Sequence, residues 1–170
     1  GSEMCKRVRT EMIDKREGFG KILAEGSQRA SEIIGRGTEE YLSTSKGQEA
    51  PADMPQVKRS LSVIYAANPF GADHESSEHD PAYKAYPERM EQIGLTNPQE
   101  KLALNEEMMR FAMVTQHLSS AVDSLSVCAF IFGASFQLYD ADKLVEVVNA
   151  VTGWDTDITE ILAVGERRLN

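Results

Sequence analysis

An all-α fold, an irregular helical bundle with long loops, is predicted by three features of the sequence. Apolar residues recur at helical spacing in several segments, capping residues stand where those segments begin and end, and no stretch alternates long enough to demand a sheet. Residues 5–15 are charged and mixed and read as the tail of a helix. Phe19, Ile22, Leu23, Ala30, Ile33 and Ile34 then form one apolar stripe. Gly35 and Gly37 close it, because glycine leaves a helix in the left-handed conformation without a Cβ penalty. Residues 41–56 are polar, contain Pro51 and Pro55, and read as a loop. Residues 57–67 suit a short helix or a strand, since Leu61, Val63, Ile64 and Tyr65 fit either period. From Asn68 to Pro87 three prolines and many small polar residues argue against any regular element. A loop of that length is usually functional or disordered.

The second half carries stronger signals. Asn97, Pro98 and Glu100 read as a helix start, with a cap, a proline at the first helical position and a glutamate that reaches back. The pattern continues through Leu102, Leu104, Met108, Met109, Phe111, Ala112, Met113, Val114 and Leu118. This helix is apolar nearly all round, which predicts a central position with its methionines in the core. A second apolar segment, residues 125–132, stops at Gly133. Residues 140–151 form a helix with Leu144, Val147, Val148 and Val151 on one face, ending at Gly153. Asp157 and Glu160 form a capping box for the last helix, and Trp154 is expected to fill the corner before it. The organisation expected is a tag scar at residues 1–2, a helical segment over 3–66 continuing from an upstream domain, a long polar loop over 67–96, and a C-terminal helical domain over 97–170, which can pack as one unit with 3–66.

Apolar residues make up 41% of the 170, enough for an ordered core. The net charge of −9 repels phosphate backbones and anionic lipid, which speaks against nucleic acid and membrane as partners. Cys5 and Cys128 are the two cysteines, far apart and in no paired motif, a usage that fits a reducing cytoplasm. No apolar run approaches the length needed to cross a bilayer.

Three places could carry chemistry. Asp73-His74-Glu75 and Glu78-His79-Asp80 put two imidazoles among four carboxylates within eight positions. These are ligand types for zinc, iron or manganese, although the spacing matches no standard metal signature. His74 could instead act as a proton carrier, or simply be a surface histidine. Cys128 lies in the apolar run Val127-Cys128-Ala129-Phe130, where a cysteine ordinarily behaves as a small buried hydrophobe. Asp123, at the end of an apolar helix, needs a partner. It either caps the following segment or accepts hydrogen bonds from a ligand. His117 reads as a core or boundary residue, and Cys5 as exposed.

Taken in order, these residues resemble the aldehyde:ferredoxin oxidoreductase family. The likeness runs through Arg16-Glu17-Gly18-Phe19-Gly20, Leu23-Ala24-Glu25-Gly26 and Ile34-Gly35-Arg36-Gly37. Lys46-Gly47-Gln48-Glu49-Ala50-Pro51 is similar to that family's Lys-Gly-x-Glu-x-Pro stretch. Tyr65 to His74 resembles its Tyr-Ala-x-x-x-x-Gly-x-x-His loop. Asp123-Ser124-Leu125-Ser126-Val127-Cys128 is similar to its Asp-x-x-Gly-Leu-Cys motif, with Ser126 where the family has glycine and Val127 where it has leucine. Residues 149–155 and Gly165-Glu166-Arg167 resemble its closing segment.

The resemblance implies the helical C-terminal part of an enzyme that oxidises an aldehyde to a carboxylate and passes the electrons to ferredoxin. It implies a tungsten or molybdenum bis-pyranopterin and a [4Fe-4S] cluster, with Cys128 as one cluster ligand, Asp123 as an acceptor for a pterin, and His74 as a catalytic residue near the metal, where it could orient substrate or move a proton. The family's pterin-binding N-terminal domain and its cysteine triplet have no counterpart in these residues. The chain alone is therefore expected to be apo and inactive, with an exposed apolar patch, a disordered His74 loop or a homodimer. Two other readings stand beside this one. One is a non-catalytic structural or interaction module of the same family, motivated by Ser126. The other is a mononuclear metal hydrolase using His74 and His79.

Overall fold

In the computed structural model, which describes residues 3–133 and 138–170 and the side chains from residue 6 onward, the chain divides into two compact units, residues 1–49 and 50–170. The scar expected at residues 1–2 and the exposure expected of the Cys5 side chain lie outside the described residues.

The first unit holds α1 (Glu3–Asp14), α2 (Gly20–Leu23) and α3 (Ser27–Ile34). The single stripe expected over residues 19–34 is broken between α2 and α3, because Gly26 sits at φ 83° and turns the chain. α2 lies close to α1: a Cβ on Gly20 would stand 2.2 Å from the Met12 carbonyl oxygen. The loop that follows contains one short 3-10 turn, Thr38–Tyr41, and a minimal antiparallel hairpin of β1 (Thr44–Ser45) and β2 (Gln48–Glu49). Lys46 and Gly47 join its strands at φ 53° and 80°, the double left-handed conformation of a two-residue hairpin turn. The hairpin places Glu49 over the start of α3, where its carboxylate accepts the Ser27 N–H. That bond holds the Glu49 carboxyl below the usual carboxylate range.

The second unit is built around α7 (Glu106–Ser124), as the nearly all-round apolar pattern predicts. Met108, Phe111, Leu118, Ala121 and Val122 are buried along it, and Tyr83 stacks on Phe111 at 5.0 Å. Met113, expected in the core, is 51% exposed, because it falls on the α7 face opposite that contact row. The ambiguous stretch before Asn68 is helical, α4 (Ser60–Ala67), and packs Leu61, Ile64 and Tyr65 with Ala112. α7 starts at Glu106 rather than near Pro98. Leu102 and Leu104 are both exposed, whereas Asn105 accepts the Met108 N–H and two glutamates follow in the first turn.

Two of the prolines read as breakers between Asn68 and Pro87 are helix starters. Pro81 opens α5 (Pro81–Ala85) and Pro87 opens α6 (Pro87–Gln92), each at a position where the missing N–H has no helical partner to lose. α9 (Ala141–Thr152) is left through Gly153 at φ 73° and α10 (Ile158–Leu169) is capped by Asp157, both as read from the sequence, and Asp140, read as the first helical residue, caps α9. Trp154 does not fill the corner between them and is 64% exposed. The corner is closed instead by Asn149, whose amide pairs with the N–H, hydroxyl and carbonyl of Thr156. Among the described residues no helix is long and apolar enough to cross a membrane.

The apolar run 125–132 is only half helical. α7 ends in a Schellman turn, in which Ser126 N–H donates to Asp123 O and Val127 N–H to Val122 O. Ser126 takes the left-handed position at φ 56°, and α8 (Ala129–Phe132) begins after Cys128. A side chain at that position is strained, so Ser126→Gly should stabilise the chain by roughly 0.5–1 kcal/mol. Urea unfolding of the two proteins checks this, and an unchanged or lower midpoint contradicts it.

Candidate functional site

The histidine loop is tied down at both ends by side-chain bonds. Asp73 accepts the Glu75 N–H and Ser76 Oγ donates to Asp73 O, which shapes the short 3-10 turn His74–Ser76. Asp80 is fully buried and accepts both the backbone N–H, at 2.7 Å, and the hydroxyl of Ser60, the first residue of α4. A carboxylate there meets the positive end of the helix and satisfies an N–H without a helical partner. The loop is thus anchored by side-chain bonds on either side of the two histidines.

Between these anchors the two imidazoles meet a further carboxylate and an ammonium that sequence reading passed over. His74 Nε2 stands 3.0 Å from Glu75 Oε1 and 3.6 Å from Asp53 Oδ2. His79 Nδ1 is 2.9 Å from Lys58 Nζ and 3.9 Å from Asp53 Oδ1. Lys58 also donates to Asp53, and the two rings lie 5.7 Å apart. The Asp53 carboxyl is held below the usual carboxylate range, first by the Lys58 hydrogen bond and further by His79 and His74, against an opposing push from burial. Tyr65 steadies Asp53 by donating to its backbone carbonyl at 2.9 Å. Burial, with Asp53 and Asp73 nearby, pushes the Tyr65 hydroxyl up to about 12, so it remains a donor throughout the neutral range.

The lowered Asp53 value has a consequence for stability. A depressed carboxylate stabilises the fold above its unfolded value, about 3.9, and that contribution is lost as pH falls through the folded value. The stability advantage of the wild type over Asp53→Asn should therefore be full at neutral pH and shrink below about pH 4. Urea midpoints of both proteins at several pH values check this; a gap independent of pH sinks it.

Lys58 also bears on the metal-hydrolase reading. Its ammonium occupies the space between Asp53 and His79, so these donors turn to a cation already present. Among the described residues no three His, Cys, Asp or Glu side chains are grouped so as to hold a metal ion.

A pocket of about 90 Å³ connects the histidine loop to the end of α7 and to α8, with His74, His79, Ser119, Val122, Ala129 and Phe130 in its lining. Cys128 directly precedes that wall. Its thiol is free and exposed, not the buried small hydrophobe that its apolar neighbours suggest. Phe130 is 67% exposed, so the Cys128 surface is apolar and open. Asp123 lies one residue past Val122 and is also exposed. Its carboxylate accepts from Arg168 of α10 at 3.0 Å, and it does not cap the segment that follows, whose N-cap residue is Cys128. Arg168 reaches Ser120 Oγ as well, at 3.4 Å. His117 is a half-buried boundary residue, as expected. His74 and the segment opening at Cys128 are thus brought together, with Asp123 on the neighbouring turn. Asp53 and Lys58 had no local signal to reveal them, since each lies some 20 residues from the histidine it contacts.

Comparison with known proteins bears on this arrangement. Residues 7–170 match the family described as "Aldehyde ferredoxin oxidoreductase, domains 2 & 3". The chain is 33% identical over 158 residues to a tungsten-containing aldehyde ferredoxin oxidoreductase of Pyrococcus abyssi, covering 93% of the chain and 24% of that relative. It is 33% identical over 161 residues to the protein of the same description from Pyrococcus furiosus, covering 94% of the chain and 24% of the relative. It is 30% identical over 161 residues to that of Thermococcus kodakarensis. The chain therefore spans about a quarter of the length of the curated relatives it matches.

Proposed function

Because the chain belongs to the aldehyde ferredoxin oxidoreductase family, we propose that it forms the helical wall of an active site that oxidises an aldehyde to a carboxylate and delivers the electrons to ferredoxin. The observation that carries this reading is the single pocket joining the His74 loop to the segment that opens at Cys128.

The residues fit the groups the family implies. The Cys128 thiol is free, exposed and presented at the start of α8 by the Schellman turn, as one thiolate ligand of a [4Fe-4S] cluster would need to be. Such a cluster takes about four thiolates, and the sequence holds Cys5 and Cys128 alone. At least two ligands must come from outside these residues. Asp123 would accept from a pterin edge, a reading supported by its exposed carboxylate, which Arg168 holds at 3.0 Å. When bound, the tungsten or molybdenum pterin supplies the two-electron oxidation and the cluster supplies the path to ferredoxin. His74 takes up and returns protons at its ring nitrogen while Phe130 and Val122 limit water in the pocket. Ser126, which motivates a non-catalytic module, completes the turn before Cys128 despite its Cβ, which supports the catalytic reading.

The test is the metal content of the full-length protein that carries this chain, purified without oxygen. Tungsten or molybdenum with about four irons per chain is expected. Iron without either metal would point to a decayed pterin site, and neither metal nor iron would overturn the proposal.

A further inference from the structure

The histidine loop holds a second imidazole at the pocket, and the charged partners of the two rings occupy a different ring nitrogen in each. An ammonium only donates, so His79 Nδ1, 2.9 Å from Lys58 Nζ, must accept, and its ring hydrogen sits on Nε2. Asp53 Oδ1 would favour the other tautomer, but it is 3.9 Å away and already paired with Lys58, so the nearer cation decides. His74 is arranged the other way round. Its Nε2 faces two carboxylate oxygens, which only accept, so Nε2 carries the hydrogen and Nδ1 is left as the lone-pair edge. Neither His74 Nδ1 nor His79 Nε2 has a protein partner among the described residues. Both rings line the pocket.

We propose that His79 is a second catalytic residue, donating from Nε2–H to the carbonyl oxygen of the aldehyde while His74 Nδ1 accepts a proton from attacking water. Asp53 and Lys58 are the positioning residues that keep the two edges distinct. This rests on the aldehyde-oxidising reading above. In the step, a water O–H bond breaks and its proton passes to His74 Nδ1. The new C–O bond forms at the aldehyde carbon, and the carbonyl π pair moves onto the oxygen that His79 hydrogen-bonds. The step is redox-neutral and needs no oxidant. It yields the hydrate as its alkoxide, hydrogen-bonded by His79 with the water proton on His74, and the two-electron oxidation to carboxylate can proceed from that species. A donor aimed at the developing oxyanion from a pocket this small is worth more than the same donor in water.

Two measurements test this independently. Nitrogen NMR of histidine-labelled chain, recorded above the ordinary histidine range at about pH 8, should show His79 as the Nε2–H tautomer. In Lys58→Met, Asp53 is left as the nearest charge and His79 should shift toward Nδ1–H while His74 stays unchanged. A His79 tautomer indifferent to Lys58→Met overturns the edge assignment. In the full-length enzyme, His79→Leu should lower kcat/KM for an aldehyde by about 10²–10³-fold. His79→Gln, whose amide N–H reaches toward the place of Nε2–H, should recover most of the loss. Unchanged kcat/KM in His79→Leu overturns the role of His79 but leaves the family reading standing. An enzyme free of tungsten and molybdenum that still shows the tautomer switch overturns the aldehyde reading, and the catalytic role with it.

Discussion

Gly165→Ala should unfold or badly loosen the second unit. A Cβ built on Gly165 would lie 1.8 Å from the His117 carbonyl oxygen and 2.7 Å from its carbon, with Ala121 N at 3.0 Å. All three are backbone atoms of α7, so no side chain can swing aside. α10 would have to move off α7, and Leu118, Ala121 and Ile161 would lose their packing together. Overpacking of an ordinary core costs about 1–3 kcal/mol. This clash should reach or exceed the top of that range, even though alanine improves helix propensity by about 1 kcal/mol. Gly153→Ala is the matched control. Gly153 has φ 73° but open space around its missing Cβ, so only backbone strain of about 1 kcal/mol is expected. Urea midpoints of the two variants should differ widely. Equal midpoints would show that helix contact does not depend on a glycine at 165.

Cys128→Ala should do the reverse, leaving the fold intact and abolishing electron transfer in the full-length enzyme. The Cys128 side chain is exposed and touches no core cluster, so the unfolding midpoint of the chain should move by no more than about 0.5 kcal/mol. If Cys128 is the cluster ligand proposed above, the substitution removes one thiolate from the cluster of the full-length protein. Iron should fall by about four per chain, the content of one cubane cluster, and ferredoxin reduction should stop. Iron that stays bound with turnover intact would remove Cys128 from the ligand set. The two substitutions thus separate packing from chemistry.

Much of the helical framework was legible because helix ends are settled within a few residues. Asp140, Asp157 and Gly153 mark α9 and α10 in the sequence, and the same residues cap those helices in the fold. The cap of α7 was misplaced because Asn97-Pro98 carries the same local signature as Asn105-Glu106. What separates them is burial, since Leu102 and Leu104 are exposed. Pro81 and Pro87 were read as breakers because proline both ends and starts helices, and composition does not say which.

The candidate site divides the same way. His74, Asp123 and Cys128 could be named from linear motifs, because each sits in a short pattern whose order along the chain carries information. That the His74 loop and the Cys128 segment share one pocket, and that Lys58 rather than a metal occupies the space between Asp53 and His79, depends on chain segments 20 to 50 residues apart. Sequence by itself determined α9 and α10 with their ends, the central position of α7, and the family. Only the tertiary structure decided which charge faces which ring nitrogen, because a cap needs a donor three residues away, whereas an ion pair across a loop needs the whole path of the chain to bring its partners within about 3–4 Å.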